Sequence, residues 1–136
     1  MQREIDALLD GWHRAASRAD AAGYLGLLAQ DATYLGTDPL ERWSRAEFEA
    51  FVRPYFDAGR GWTYEPRERH VALAPGGDVA WFDEKLWNEK YGECRGTGVL
   101  VKEGGAWKLA HYSLTLLVPN EATPEVVEVI RAHSRP

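Results

Sequence analysis

The stretch GVLVKEGGAWKLAHYSLTLLV, residues 98–118, decides the fold. It holds two apolar runs joined at Glu103-Gly104-Gly105, a composition that suits a tight hairpin turn. Pro119 and Asn120 stop the second run. The same pattern extends backward along the chain. VAWFDEKLWNEK, starting at Val79, is another strand-like run, and WTYEPRERHVAL, starting at Trp62, is the one before it. Turns are marked by Pro75-Gly76-Gly77-Asp78 and by Tyr91-Gly92. Pro66 suggests an edge strand or a bulge, because it has no N–H for a ladder. Residues 62–118 therefore read as a meander of long antiparallel strands.

The chain ahead of this region has helical spacing. In residues 3–18, Ile5, Leu8, Leu9, Trp12 and Ala16 share one face. His13 falls beside the polar side and reads as solvated. Asp20 caps a second, short helix with Tyr24, Leu27 and Leu28 inward, which Asp31 ends. Residues 32–37 read as a short strand closed by Gly36 and Asp38-Pro39. Ser44 and Glu47 form a capping box for a third helix carrying Phe48, Phe51, Val52 and Tyr55, in which Pro54 predicts a kink or an early stop. Thr123-Pro124 opens a tail helix over 124–133. The reading is α+β: a cone-shaped, strongly curved antiparallel sheet packed with three N-terminal helices, plus a C-terminal helix, as one domain over 1–136. A bent sheet closed at one end by helices leaves a cavity suited to a small molecule.

Composition narrows the function. The 136 residues carry 16 basic and 21 acidic side chains, a net charge of −5, which argues against nucleic-acid binding. No apolar run approaches the roughly 20 residues of a membrane helix, and the opening MQREIDALLDGW lacks the apolar stretch of a leader, so a cytoplasmic protein without a membrane partner is expected. The single cysteine, Cys94, cannot form an internal disulfide. His13, His70, His111 and His133 show no metal-ligand spacing, and Gly96 and Gly98 lie within a strand rather than a phosphate loop, so neither metal nor cofactor is expected. Six Trp, six Tyr and four Phe suit a thick core or a lined pocket.

The helical opening, YLGTDPLERW (34–43) and GVLVKEGGAWKLAHYSLTLLVPNE (98–121) resemble the SnoaL-like branch of the nuclear transport factor 2-like superfamily. The resemblance covers roughly residues 4–121. Its most specific piece is the Gly-x-Trp-basic-aliphatic-x-His pattern, here Gly105-Ala106-Trp107-Lys108-Leu109-Ala110-His111. It implies a cone fold and homodimers through the outer sheet face. Function is less constrained, since cyclases, isomerases, dehydratases and non-catalytic binding modules share the fold. Many members end the last strand with His-x-His-x-Ser; Ser113 stands here in place of the second histidine.

Alternation puts Trp107, Leu109, His111, Ser113 and Thr115 on one face, and the resemblance turns that face inward. A three-residue loop at 103–105 sets Val101 opposite Trp107 and Thr97 opposite His111, making Arg95 and His111 neighbours in the cavity. In the second long strand Phe82, Glu84 and Leu86 are preferred inside, because the other face buries Asp83 and Lys85; another loop length at 90–93 would bring Asp83 inward. The candidate site is then His111 and Glu84 for proton transfer, Arg95 for an anion, and Tyr34, Trp43, Trp62, Tyr64, Phe82 and Trp107 around the ligand. The competing reading of the polar three is a structural ion pair with a core histidine. Lys108, Ala110, Tyr112, Leu114 and Leu116, with Gly96, Gly98 and Leu100, form the expected outer, dimerising face.

The function read from this is a small-molecule-binding cone suited to lyase or isomerase chemistry on a small apolar or aromatic carbonyl compound. The alternative is a non-catalytic ligand-sensing or protein-interaction module.

Overall fold

Gly104 and Gly105 both take positive φ, 58° and 82°. That is the two-residue, mirror-image hairpin turn whose twist matches its flanking strands. It joins β5 (Gly92–Glu103) to β6 (Ala106–Leu116) with Glu103 opposite Ala106 and Lys102 opposite Trp107. The loop is thus one residue shorter than expected, and the pairing shifts accordingly. These strands form the middle of a six-stranded sheet, described in a computed structural model that covers residues 2–134. The other strands are β1 (Leu28–Leu35), β2 (Arg42–Ser44), β3 (Glu65–Leu73) and β4 (Val79–Asn88). Their order is β2-β1-β6-β5-β4-β3. Only β1 and β6 run parallel; every other neighbouring pair is antiparallel.

Four helices complete the mixed α+β fold: α1 (Gln2–Ser17), α2 (Ala21–Leu25), α3 (Arg45–Asp57) and α4 (Thr123–His133). Asp20 caps α2 by accepting the N–H of Gly23. Ser44 and Glu47 close a reciprocal capping box on α3. Three expectations about this region change. The second helix is a single turn, and Leu28 lies on β1, a strand that begins four residues earlier than residue 32. Pro54 neither stops α3 nor breaks it, since helix continues to Asp57 and buries Phe56. Trp62 and Tyr64 precede β3 in a segment without regular secondary structure rather than lying on it.

The inner faces of β4 and β5 follow strict alternation. Ala80, Phe82, Glu84 and Leu86 point inward from β4, which settles the choice against Asp83. Cys94, Gly96, Gly98 and Leu100 do so from β5. β6 departs from it. Leu109 pairs with Leu100, but His111 pairs with Val99, so Ala110 is an extra residue in the strand. A one-residue bulge sends every later side chain to the opposite face. Trp107 and Leu109 are buried before it, and Tyr112 and Leu114 after it. His111, Ser113 and Thr115 therefore lie on the outer face, not the inner one. Tyr112, Leu114, Gly96, Gly98 and Leu100 are correspondingly internal, not part of a dimerising surface. The two glycines make room for rings. A Cβ on Gly96 would lie 1.9 Å from the Tyr112 Oη, and one on Gly98 would lie 2.7 Å from the Phe82 Cζ.

Candidate ligand site

Glu84 is the one fully buried acidic side chain among the described residues, and its carboxylate gathers three donors. Oε2 accepts from Tyr112 Oη and from His13 Nε2, each at 2.7 Å. Oε1 accepts from Arg69 Nε at 2.8 Å. Arg69 is itself 7 % exposed and reaches α1, where Nη1 donates to Asp6 Oδ1 at 3.1 Å. Its Nη2 lies 2.9 Å from Asp10 Oδ1, close enough for ion pairing but off the hydrogen-bond direction. Burial alone would raise the Glu84 pKa; the bonds and charges of His13 and Arg69, with the Tyr112 hydroxyl, outweigh it and hold the carboxyl below its ordinary value. Burial and the adjacent carboxylate push the Tyr112 hydroxyl well above the usual phenol range, so it remains a donor.

Arg95 takes no part in this cluster. Its side chain is exposed on the outer face, opposite Lys85 and Thr115. His111 is half-buried on that same face. Of the three residues expected to share the chemistry, only Glu84 is internal, and its partners are His13, Arg69 and Tyr112. His13 and Tyr112 each had a signal in the sequence, and Arg69 is placed by strand register alone. His13 lies four residues after Leu9 and three before Ala16, so it belongs to the buried stripe of α1. Arg69 is the cross-strand partner of Glu84. Tyr112 and Leu114 continue the large apolar set of Trp107 and Leu109 with the phase shifted by one, which is the mark of a bulge.

A cavity of about 410 Å³ opens beside this core. That volume lies within the usual range of small-molecule sites. Tyr34, Trp43, Trp62 and Tyr64 all line it, joined by Phe48, Phe51, Tyr55 and Tyr91, so eight aromatic side chains surround it. Phe82 and Trp107 are buried elsewhere in the core and do not border it. One wall consists of two stacked pairs. Tyr34 lies on Phe48 with centroids 4.1 Å apart and planes 13° apart, and Trp43 lies on Phe51 at 4.5 Å and 23°. The mouth is organised by Asn88. Its Oδ1 accepts the N–H groups of Lys90 and Tyr91, and its Nδ2 donates to Thr63 O, so one side chain ties the β4–β5 turn to the segment carrying Trp62 and Tyr64. Burial, the largest cause, pushes the Tyr34 and Tyr64 hydroxyls above the usual range, with the Glu41 charge a lesser contributor to both.

Between cavity and ion cluster lies a void of about 10 Å³, bordered by His13, Tyr34, Trp62, Tyr64 and Tyr112 among others. It has room for one water molecule at most. The aromatic layer therefore separates the large cavity from Glu84.

A SnoaL-like domain family matches residues 5–119, nearly the whole fold just described. The chain belongs to the SnoaL-like family. Solved structures agree on the architecture. An NTF2-like protein of unknown function from Pseudomonas putida KT2440 superposes with a TM-score of 0.72 at 19 % identity, covering 88 % of this chain and 89 % of that one. A candidate dehydratase of the NTF2-like family from Streptomyces avermitilis gives 0.72 at 12 % identity, covering 86 % and 96 %. A candidate aromatic ring hydroxylase from Novosphingobium aromaticivorans gives 0.68 at 18 % identity, covering 85 % and 87 %. No protein of curated function matches the sequence. In this SnoaL-like chain, among the described residues, no group of three His, Cys, Asp or Glu is placed to hold a metal ion, and no helix is long and apolar enough to cross a membrane.

Proposed function

We propose that this protein binds a flat, largely apolar small molecule in the aromatic cavity, and that the Glu84 cluster is a structural strut beneath it. The observation that carries the reading is the division of labour inside the fold. Eight rings line the open cavity, whereas the buried carboxylate already has its donors and lies behind an aromatic layer. A satisfied, stabilised carboxylate is a weak base. Titration with 1-naphthol, followed by tryptophan fluorescence, tests the reading. Trp43→Ala removes one stacking face and is expected to weaken binding roughly fivefold to tenfold. No binding at millimolar probe, or binding indifferent to Trp43→Ala, would sink the proposal.

One observation favours a catalytic second reading: His13 and Tyr112 both border the small void at the cavity floor. A ligand group entering there would meet an imidazole oriented by Glu84, which suits proton transfer on a carbonyl compound. Solved relatives of the same fold include a candidate dehydratase, which fits such chemistry. His13→Gln would then abolish turnover while leaving ligand affinity intact; equal loss of both returns His13 to a structural role.

For self-association, the outer sheet face offers Trp81, 50 % exposed, and Trp87, 39 % exposed, around Val99 and Thr97. A homodimer through this face is the proposal, and a monomer in analytical ultracentrifugation at micromolar concentration would overturn it. The buried, unpaired thiol of Cys94 fits a reducing, cytoplasmic setting.

A further inference from the structure

Two charged side chains border the aromatic cavity, Glu41 and Lys90, and they are held differently. Lys90 is exposed, with its Nζ 5.3 Å over the ring of Tyr91. Glu41 is half-buried and takes part in none of the ion pairs found among the described residues. Its position is fixed by local structure. The Asp38 N–H donates to Oε1 at 3.0 Å, and the Gly36 N–H donates to the Glu41 backbone oxygen at 2.8 Å. The carboxylate lies so close over Gly36 that a Cβ there would come within 2.4 Å of Oε1. Glycine thus leaves room for an unpaired acid on the wall of an aromatic cavity. The Glu41 charge is felt by both Tyr34 and Tyr64 on that wall.

Ring faces carry negative potential, and a cation placed among several of them is attracted without needing a hydrogen bond. A fixed carboxylate at the same cavity adds to that attraction and repels anions. Lys90 opposes such a cation, but its ammonium is exposed, where solvent and salt screen it, and it already lies on the Tyr91 ring, whereas the Glu41 carboxylate is half-buried. We propose that the ligand of this cavity is an organic cation, an aromatic or alkyl ammonium whose positive group sits near Glu41 within the aromatic lining. This deepens the binding reading above and rests on it.

Three probes of similar shape separate the possibilities: benzyltrimethylammonium, its neutral isostere neopentylbenzene, and benzenesulfonate. Each is titrated against the full chain by tryptophan fluorescence. The cation is expected to bind about tenfold tighter than the neutral probe, with the anion weakest. Glu41→Gln keeps an acceptor for Asp38 N–H while removing the charge, and is expected to bring cation and neutral probe to near parity. Gly36→Ala keeps the charge but displaces the carboxylate, and is expected to reduce the same preference. Both variants are checked for wild-type urea midpoints. Equal binding of all three probes, or a preference for the anion, overturns the inference and leaves the aromatic cavity as a neutral binding site. A cation preference that survives Glu41→Gln also overturns it. Failure of every probe to bind overturns both this inference and the reading beneath it.

Discussion

Glu84 shows how a buried charge is made tolerable. Three donors on two oxygens replace the water it loses, and one of them, Arg69, is anchored in turn by acids at the surface. The pH dependence follows from the direction of the shift. The folded carboxyl titrates below the ordinary glutamate value of about 4.3. Its contribution to stability is therefore fully present above that value and is lost as pH falls through the depressed folded value. Glu84→Gln leaves Arg69 and His13 without their central partner and is expected to cost about 3–5 kcal/mol at neutral pH. The gap between wild type and variant, read from urea midpoints, should narrow steadily below about pH 4.3. A constant gap from pH 7 to pH 3.5 would contradict the arrangement described.

Elements with local chemical signatures were the most legible in the sequence. The capping box of Ser44 and Glu47, the Asp20 cap and a glycine turn near residues 103–105 each rest on a few adjacent residues, and the structure contains all three, the turn being one residue shorter than expected. The inward face of β4 was also legible, because one choice buried Phe82 and Leu86 and the other buried Lys85. The bulge at Ala110 breaks the alternation expected of β6, and it puts His111 outside the site and Tyr112 inside it. Alternation is a local rule, whereas a bulge is set by how the curved sheet closes, here with Tyr112 seated over Gly96. The aromatic residues at 34, 43, 62 and 64 do come together around one cavity. The partners of Glu84 come from α1, β3 and β6, and only the folded sheet brings all three to one carboxylate. Pro54 makes a separate point about α3. The helix runs through it although proline cannot donate to the carbonyl of residue 50, so tertiary burial of Val52 and Phe56 holds that turn. Pro54→Ala restores the donor at an exposed position, partly offset by a looser unfolded chain. A gain of about 1–2 kcal/mol is expected in urea denaturation. An unchanged or lower midpoint would show that the proline fits its turn without cost.

Over the whole molecule, the sheet and α1 divide the interior into two regions. A charged strut crosses from the surface acids of α1 through Arg69 to Glu84, and the aromatic cavity opens beyond the ring layer above it. The cavity can therefore vary its lining without disturbing the strut, and ligand binding should add to stability independently of it. At a ligand concentration one hundred times its dissociation constant, mass action adds about 2.7 kcal/mol. The same increment is expected whether the strut is intact or weakened, as long as the variant folds.

The strut also bears on the timing of folding. His13 and Glu84 are 71 residues apart in the chain, and Arg69 and Asp6 are 63 apart. Such contacts close only after the meander has formed and α1 has docked, because large loops must be ordered before they are rewarded. An interaction absent from the rate-limiting barrier acts almost wholly on escape from the native state. His13→Gln, which removes the 71-residue tie and leaves the bonds of Glu84 to Arg69 and Tyr112 in place, should then leave the refolding limb of a chevron nearly unmoved and raise the unfolding rate by the full loss of stability. On this view, the tie between α1 and the buried acid determines how long the cone stays closed once formed rather than how quickly it assembles.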